Sequence, residues 1–478
     1  MGTGNRYLDG GFAPLEQEYT LTELQVTGSI PEHLDGRYLR NGPNPIGEID
    51  PQLYHWFGGD GMVHGIRLRD GRAEWYRNRW VRGPVTSLAL GEPQRFTAEQ
   101  AFGIGANTNV IGHAGRTLAL VEAGLTNYEL TEELDTVGPC DFDGTVRGGY
   151  TAHPKRDPET GELHAVSYAF TSGNKVRYSV IGTDGRARRT LDIEVGGAPM
   201  MHDFSLTENY IVLYDLPVTF DARQAAEMTV PRALRLPARL LLSALIGRVP
   251  IPAPPRKPSL SGDRRLPYSW NPKYPARIGV LRRDGAADSV RWFDIEPCYV
   301  FHPMNAYEDG DTIVLDVVRY PKMFDTDKTG PDDGAPTLDR WEVDLSAGKV
   351  RQSRLDDRAQ EFPRIDERLL GRRHRYGYVP SVGQGLTGES TLYKHDLVNG
   401  GMLSRSFGAG KGLGEFVFEP SAPDAAEDEG VLMGFIYDAA TDRSELAILD
   451  AQTLEFVASI HLPHRVPQGF HGNWVPAA

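Results

Sequence analysis

Residues 299–303 read Tyr-Val-Phe-His-Pro, and after a polar turn the chain continues into the apolar run Thr312-Ile-Val-Leu-Asp-Val317. The same arrangement occurs twice earlier, as Tyr150-Thr-Ala-His153-Pro before Leu163–Tyr168 and as Met200-Met-His202-Asp before Tyr210–Tyr214. In each copy a histidine closes a short apolar or aromatic run, and a polar turn and a strongly apolar strand follow. A histidine at the same point of a repeated unit predicts that the units bring their histidines to one shared place.

Strand, turn and strand patterns recur along the whole chain. Several of the turns contain Asp-Gly or Asn-Gly, the strongest short signal of a β-hairpin. Seven such turns fall near residues 70, 135, 184, 284, 347, 399 and 451. Most are about 50 to 65 residues apart, which is typical of the short antiparallel sheets of a β-propeller. The pattern predicts an all-β fold, a propeller of seven blades; the alternative is a pair of β-sandwiches with coincidental turn spacing.

One step between turns is about twice as long and contains an insertion, residues 225–261. Its first part, residues 228–246, combines leucines with Arg232, Arg235 and Arg239. Helical spacing runs from Ala238 to Ile246, and Gly247 and the prolines that follow end the helix. A short basic amphipathic helix is typical of a segment that lies on a membrane surface. The alternative is a cap helix packed on the propeller. Because the protein is acidic, the local positive charge favours membrane contact through residues 228–255.

Composition limits the possible partners. The chain has 478 residues and a formal net charge of −14, whereas nucleic-acid binding requires a basic face. Two cysteines, Cys140 and Cys298, are too few for a disulfide scaffold or a cysteine-based zinc site. The sequence contains neither a secretory signal nor a run long enough to span a membrane. We therefore expect a soluble, cytoplasmic protein with possible peripheral membrane contact and no nucleic-acid partner; the oligomeric state stays open.

Four histidines are candidate metal ligands: His153, His202, His302 and His471. The inner strands of propeller blades line a central axis, so equivalent positions on different blades converge. An all-imidazole set suits iron, copper, nickel or zinc. The alternative for each histidine is an ordinary structural or surface role.

Histidine ligands need an outer partner that orients the second ring nitrogen. Glu122, Glu361 and Glu415 lie in apolar runs, where a carboxylate is costly unless it is paired. They are candidate partners of the histidines; the alternative is a buried salt bridge for each. Aromatic residues are candidates for lining a tunnel or for ordinary core: Phe57, Trp80, Phe102, Phe170, Phe301 and Phe418.

Other catalytic motifs are absent from the sequence. There is no His-Glu-x-x-His zinc motif, no Walker loop and no Gly-x-Gly-x-x-Gly that opens a helix. No Gly-x-Ser-x-Gly elbow is present either. The histidine set is therefore the feature from which function is inferred.

Over nearly its whole length, the chain resembles the carotenoid cleavage oxygenases. Gly36-Arg-Tyr-Leu-Arg-Asn-Gly-Pro-Asn44 and Trp56-Phe-Gly-Gly-Asp-Gly-Met-Val-His64-Gly are similar to the opening signature of that family. The four histidine contexts match too, including Phe470-His471-Gly. The resemblance implies a single seven-bladed propeller domain over residues 1–478 with a cap of loops and helices.

The resemblance also implies a site. One non-haem Fe(II) per chain is held by the four histidines, three of which are oriented by Glu122, Glu361 and Glu415, with His153 the exception. Thr108 matches a position whose methyl group crowds one open iron position, so that a single position remains for O2. The implied reaction is that of a dioxygenase, which cleaves a conjugated C=C bond of an apolar carotenoid or apocarotenoid with O2 into two carbonyl products. Which polyene and which bond stay open.

Other functions remain as alternatives. Stilbene-cleaving members of the family have a lysine just before the first of the three glutamates, and this chain has Val121 there, which favours an apolar polyene over a phenolic stilbene. A retinoid isomerase shares the same metal site. Outside the family, a metal-free propeller could act as a binding scaffold, and a structural zinc site is a further alternative.

Overall fold

The structure is a computed structural model that describes residues 2–96, 103–252, 262–331, 333–383 and 388–477. Strands dominate it, and the described residues form eight antiparallel sheets. Seven of these are the blades of a propeller, and the eighth is a hairpin of two strands. The all-β fold and the seven blades expected from the sequence are confirmed.

The first blade contains β1, β3, β4 and β5, and the short β2 belongs to the last blade. These strands are β1 (Thr20–Leu21), β2 (Gln25–Gly28), β3 (Gly36–Pro43), β4 (Gly61–Arg69) and β5 (Arg72–Trp80). The second blade consists of β6 (Asn109–His113), β7 (Arg116–Leu120), β8 (Tyr128–Leu130) and β9 (Thr136–Pro139). The third consists of β10 (Lys155–Arg156), β11 (Leu163–Tyr168), β12 (Lys175–Ile181) and β13 (Ala187–Glu194).

The fourth blade is interrupted by the separate hairpin. The strands are β14 (Phe204–Leu206), β15 (Tyr210–Asp215), β16 (Val218–Phe220) and β17 (Tyr268–Trp270) of the hairpin, β18 (Arg277–Arg282) and β19 (Arg291–Asp294). The fifth blade consists of β20 (Tyr299–Asp309), β21 (Thr312–Tyr320), β22 (Thr337–Asp344) and β23 (Lys349–Asp356). The sixth consists of β24 (Tyr376–Pro380), β25 (Glu389–Asp396) and β26 (Gly401–Ala409).

The seventh blade closes the ring. Its strands are β27 (Lys411–Leu413), β28 (Val417–Pro420), β29 (Gly430–Asp438), β30 (Arg443–Asp450) and β31 (Phe456–His461), and the chain then ends its strands with β32 (Gly472–Pro476). Two exchanges close the propeller: β2 pairs with β31 of the seventh blade, and β32 pairs with β3 of the first. The inner strand β32 also contacts β6 and β28, so the seventh, first and second blades meet at the axis.

Each of the seven predicted turns lies in a different blade. The turn at Asp70-Gly71, for example, joins β4 to β5, and the turn at Asp184-Gly185 joins β12 to β13. Asp70 and Gly71 both have positive φ, 50° and 67°, a conformation that the Asp-Gly pair adopts readily. Local turn chemistry therefore marks one hairpin in every blade.

Three α-helices occur in the described part of the chain: α1 (Pro84–Ala89), α2 (Ala222–Thr229) and α3 (Arg235–Leu245). Short 3-10 turns lie at Arg6–Leu8, Gly10–Phe12, Pro51–Leu53, Trp56–Gly58, Arg232–Leu234, Ala287–Ser289 and Glu367–Leu369. The helix predicted from residue 238 begins earlier, at Arg235, because Pro237 falls in the first turn, where proline is tolerated. It ends before Gly247, whose φ is +74°. Residues 253–261 of the insertion lie outside the described residues.

The core lies between the blades, which pack face to face. The largest apolar cluster joins the third, fourth and fifth blades and includes Phe204, Ile278 and Trp341, each of them fully buried. Both faces of a central strand such as β21 are therefore apolar, in contrast to the alternation of a sheet with one solvated face.

Glu419, at the end of β28, makes stability depend on pH. Burial and the negative charges of Glu367 and Asp366 raise its pKa to about 7, against the opposing effect of Arg368. Because the folded state holds the proton more tightly than the unfolded state, stability falls as pH rises from about 4.5 to about 7. At pH 8 we expect the free energy of unfolding of Glu419→Gln to be about 2 kcal/mol larger than that of the parent protein. At pH 4 we expect the two proteins to have equal free energies of unfolding. Urea denaturation at pH 4 and pH 8 measures them. The same gain in stability at both pH values would contradict the raised pKa of Glu419.

Candidate metal centre

The four predicted histidines all lie where the chain enters the central axis. His153 and His202 stand just before the inner strands β10 and β14, and His471 stands just before β32. His302 lies within β20, at a point where the register of its pairing with β21 shifts. Four different blades thus supply one histidine each, as the repeated units predicted for the first three.

The structure brings these side chains together. One nitrogen from each of the four histidines lies within 4.8 Å of the others. Nε2 of His202 is 3.3 Å from Nε2 of His302, and the ring centroids of His153 and His471 are 4.6 Å apart. All four residues are at most 9% exposed.

Three glutamates each contact a different histidine, which resolves the pairing that the sequence left open. The Nδ1 atom of the histidine meets a carboxylate oxygen in every case: His202 with Glu122 at 2.9 Å, His302 with Glu361 at 2.6 Å and His471 with Glu415 at 3.1 Å. Because Nδ1 is engaged, Nε2 of each ring is left for the shared centre. This is the orientation that a metal-binding histidine requires.

The backbone beside two of these glutamates is strained. Ala123 follows Glu122 with a φ of +61°, and Phe362 follows Glu361 with a φ of +58°. Left-handed conformations of residues other than glycine cost roughly 1–2 kcal/mol. The chain accepts this cost at two positions that direct a glutamate toward a histidine.

Glu415 is held in its charged form. Its burial opposes ionisation, but Arg364 and His471 more than compensate and lower the pKa of Glu415 to about 2. Nη1 of Arg364 lies 3.5 Å from Oε1 of Glu415, and the backbone N–H of Gly472 donates to Oε2 at 2.8 Å. A charged Glu415 holds the proton of His471 on Nδ1 and keeps Nε2 free.

His153 differs from the other three histidines. Its nearest carboxylate is that of Asp203, whose Oδ2 is 3.7 Å from Nδ1 and thus beyond hydrogen-bonding distance. Nε2 of His153 is buried without a hydrogen-bond partner among the described residues. Burial and the three neighbouring imidazoles hold the pKa of His153 well below its usual value.

These features fit a divalent transition metal. Burial also lowers the pKa of His471, although Glu415 opposes it, so both His471 and His153 favour the neutral form that binds metal. The pKa of His302 is raised, because Glu361 outweighs the effect of burial; a bound cation would compete with that proton. An all-nitrogen set of this kind suits iron, copper, nickel or zinc.

Thr108 lies beside the histidines and lines the cavity that adjoins them. Its Oγ1 donates to Oδ1 of Asn107 at 2.9 Å, and its carbonyl oxygen accepts from the backbone N–H of His471 at 3.1 Å. With the hydroxyl engaged by Asn107, the side chain is fixed in place. The residue therefore couples the position of His471 to the wall of the cavity.

A cavity of about 1110 Å³ adjoins the histidine cluster and reaches His202, His302 and His471. This is slightly larger than the usual size of small-molecule sites, about 300 to 1,000 Å³. Most of its large lining side chains are apolar or aromatic: Tyr7, Phe12, Trp56, Phe57, Val121, Leu125, Tyr168, Leu266, Tyr268, Phe301, Tyr320, Phe362, Leu413 and Phe470. The volume and the lining suit a large apolar molecule that lies beside these three histidines.

The structure places the aromatic residues named from the sequence in different surroundings. Phe57 and Phe301 line the cavity, and Phe301 stands edge-on to His202 with ring centroids 5.0 Å apart. Phe170 stacks on Phe220 at 5.3 Å, beyond the end of β11, and Phe418 stacks on Tyr378 between the sixth and seventh blades. Trp80 is buried beside Leu15 and Met62. Phe102 lies outside the described residues.

Sequence reasoning missed several lining residues that are direct neighbours of predicted ones. Phe362 follows Glu361, Phe470 precedes His471 and Trp56 precedes Phe57. Adjacency to a site residue was the available signal. Tyr7 and Phe12 carried none, since they belong to an N-terminal segment of 3-10 turns and reach the cavity by packing against Trp56, at 5.2 and 5.3 Å between ring centroids.

The opening motif has a structural reason. A Cβ at Gly61 would overlap the carbonyl oxygen of Ala106, so glycine permits β4 to approach the segment that leads to Thr108. The side chain of Asn107 donates to the carbonyl oxygens of Phe57 and Gly59, at 2.9 and 2.7 Å. The motif thus attaches one wall of the cavity to the first blade.

Four histidines at the axis of a seven-bladed propeller, three of them paired with glutamates, form a group that could hold a metal ion. The family model described as retinal pigment epithelial membrane protein, RPE65, matches residues 12–476. A protein of Mycobacterium tuberculosis named carotenoid cleavage oxygenase is 58% identical over 99% of this chain and 98% of its own length. The chain therefore belongs to the RPE65 family of carotenoid cleavage oxygenases.

Solved structures agree on the fold. The cobalt-substituted apocarotenoid oxygenase of Synechocystis has a TM-score of 0.80 at 27% identity, covering 98% of both chains. The lignostilbene dioxygenase of Pseudomonas brassicacearum has a TM-score of 0.81 at 26% identity, covering 99% of both. Both solved structures therefore share the fold of this chain over nearly its full length.

Proposed function

We propose that the protein is a non-haem Fe(II)-dependent dioxygenase that cleaves a conjugated C=C bond of a carotenoid or apocarotenoid with O2 into two carbonyl products. The observation that carries the proposal is the cluster of four buried histidines beside a large cavity with a mostly apolar lining. Among the possible metals, iron is proposed because the family resemblance implies it. A polyene is proposed as substrate because relatives are named as carotenoid cleavage enzymes and because the lining of the cavity is mostly apolar.

The chain supplies binding, orientation and water exclusion. His153, His202, His302 and His471 would hold the iron through Nε2, with the three glutamates fixing the rings. Bound Fe(II) would supply the redox chemistry that lets triplet O2 react with a C=C bond, a reaction that is otherwise spin-forbidden. Thr108 narrows the space beside the histidines, so one small molecule can approach.

Aromatic side chains hold the polyene. Phe301 and Phe362 flank His302, with ring centroids at 6.1 and 5.3 Å, and both line the cavity. A polyene between such walls presents one bond to the centre and excludes water from it. No acid or base is needed for the cleavage, in agreement with the absence of a catalytic dyad from the sequence.

Val121 distinguishes a polyene from a phenolic stilbene. It lines the cavity directly before Glu122 and is 3% exposed. Val121 offers no hydrogen bond to a phenolic oxygen. The position favours an apolar substrate over the stilbene alternative.

The test is an oxygen-labelling assay on anaerobically purified protein reconstituted with Fe(II). We expect a carotenoid or an apocarotenoid to yield two carbonyl fragments, each with one atom of ¹⁸O from ¹⁸O2. A lignostilbene-type substrate turned over in preference to any polyene would move the stilbene alternative to the front. Folded protein that binds no metal under these conditions would leave the scaffold function instead.

We also propose that α3 contacts a membrane. None of its residues is buried, and Leu236, Leu240 and Leu241 are 65, 63 and 60% exposed. Exposed arginines, among them Arg235 and Arg239, accompany these leucines. No helix among the described residues is long and apolar enough to span a bilayer, but an exposed leucine stripe with basic neighbours suits its surface.

The position of α3 suits delivery of an apolar substrate. Leu266 lines the cavity, and its carbonyl oxygen accepts a hydrogen bond from the side chain of Gln224 in α2. Since α2 and α3 pack together, α2 links the cavity wall at Leu266 to the helix that carries the exposed leucines. In this proposal a polyene leaves the bilayer at α3 and enters the cavity on the side of Leu266.

Replacing Leu236, Leu240 and Leu241 together by serine should abolish sedimentation with anionic liposomes, because the buried apolar area is lost. Metal content should not change. The matched control replaces three exposed apolar residues of the sixth blade by serine: Val398, Met402 and Leu403, which are 63, 38 and 42% exposed. If the α3 variant sediments as the parent does, or if the control variant loses binding equally, the membrane role is wrong.

A further inference from the structure

Lys155 and Asp203 form a buried ion pair directly behind the histidine cluster. Nζ of Lys155 lies 2.8 Å from Oδ2 of Asp203, and the two side chains are 17 and 2% exposed. Lys155 stands two residues after His153, and Asp203 directly follows His202. The pair therefore joins the two segments that carry these histidines.

The same carboxylate oxygen faces His153. Oδ2 of Asp203 is 3.7 Å from Nδ1 of His153, whereas the glutamate oxygens of the other three histidines lie between 2.6 and 3.1 Å from Nδ1. The second oxygen of Asp203, Oδ1, accepts from the backbone N–H of Phe204 at 2.7 Å. Lys155 and His153 thus compete for Oδ2 of Asp203, and the hydrogen bond is made by Lys155.

We propose that Lys155 is a positioning residue that withholds Asp203 from His153 and so leaves His153 as the one member of the cluster without a carboxylate partner. A carboxylate partner makes a histidine a stronger metal donor. The site is then built from three strengthened donors and one weaker one. The inference rests on the proposed metal-binding function.

The charge of Lys155 also acts on His153 directly. The lysine is one of the groups that lower the pKa of His153, after burial and the three other imidazoles. Both effects reduce electron donation by the same ring. His153 would accordingly be the weakest of the four donors to a bound metal.

Removal of the lysine should reverse the competition. In Lys155→Met, Asp203 remains buried and has lost its cation, and a buried carboxylate requires a partner. The nearest alternative donor is Nδ1 of His153, which needs to move by about 1 Å to reach a charge-assisted hydrogen-bond length of about 2.8 Å. His153 would then resemble the other three histidines.

Co(II) is the probe, since its absorption bands report the donor strength of the ligands. For Lys155→Met we expect a Kd for Co(II) about 10-fold lower than that of the parent protein, as an outer partner is typically worth 10- to 100-fold. The ligand-field bands should shift as well. In Lys155→Met/Asp203→Asn no carboxylate is left to capture His153, so both the Kd and the bands should return toward parent values.

A buried ion pair elsewhere provides the control. Nζ of Lys394, in β25 of the sixth blade, lies 2.6 Å from Oδ2 of Asp428, in the loop before β29 of the seventh, with side chains 7 and 16% exposed. Lys394→Met removes the same charge, and we expect no change in the Co(II) bands. The proposal is overturned if Lys155→Met shows the parent spectrum or binds Co(II) more weakly. A parent protein that binds no Co(II) would instead reject the metal-binding function itself.

Discussion

His202→Ala should purify with less than about a tenth of the iron of the parent protein and should cleave polyenes at least about 100-fold more slowly. Replacing an outer partner of a metal ligand already costs 10- to 100-fold, and this change removes a ligand. It also leaves Glu122 without the imidazole that it contacts at 2.9 Å. Elemental analysis and the oxygen-labelling assay measure the two effects.

His164→Ala is the matched control. His164 is also buried, at 4% exposure, and its Nδ1 pairs with the hydroxyl of Tyr178 at 2.7 Å within the third blade. It is not part of the histidine group at the axis. Full iron content in His164→Ala together with loss in His202→Ala would attribute the effect to the axis, whereas equal loss in both would point to unfolding.

Arg264→Met should lower the free energy of unfolding by about 3 to 5 kcal/mol, since it leaves a buried charge without its partner. Arg264 Nη1 lies 2.7 Å from Oδ2 of Asp60, and the side chains are 9 and 0% exposed. The same guanidinium donates to the carbonyl oxygens of Gly58 and Ile46 at 3.3 and 3.2 Å. The residue thus attaches the segment after the insertion to the glycine-rich turn before β4.

Urea denaturation followed by tryptophan fluorescence measures this loss. Arg373→Met is the comparison, because Arg373 and Asp309 are 68 and 63% exposed and such a pair is worth less than about 1 kcal/mol. Arg264→Met/Asp60→Asn should recover part of the stability, since the orphaned carboxylate is gone. A loss below about 1 kcal/mol in Arg264→Met would show that Asp60 finds another partner.

The blade count was predictable from the sequence because its signals are local. An Asp-Gly or Asn-Gly turn specifies its own backbone, so residues such as Asp70 and Gly185 mark a hairpin wherever the chain places it. The three repeated histidine segments were equally readable, since each unit carries its histidine at the same point. His471 and the three glutamates lie outside that repeat, so their local sequence made them candidates only, and the family resemblance supplied the rest of the argument.

The cavity was less predictable, and the reason is the packing of the blades. Strands such as β28 and β29 are buried on both faces, so their apolar pattern does not distinguish the axis from the space between blades. Phe418 therefore looked like a lining residue but packs on Tyr378. The pairing of Lys155 with Asp203 is a long-range contact between segments and carries no sequence signal.

The exchange of strands at the ring closure sets an order of events during synthesis. β2 ends at Gly28 and its partner β31 begins at Phe456, which separates their emergence from the ribosome by about 20 to 90 s at ~5–20 residues per second. During that time β2 is an unpaired edge, and its shortness, four residues, limits mispairing with other chains. His471 arrives later still, so the nascent chain cannot assemble the full set of histidines. Iron would then be acquired only after the ring has closed.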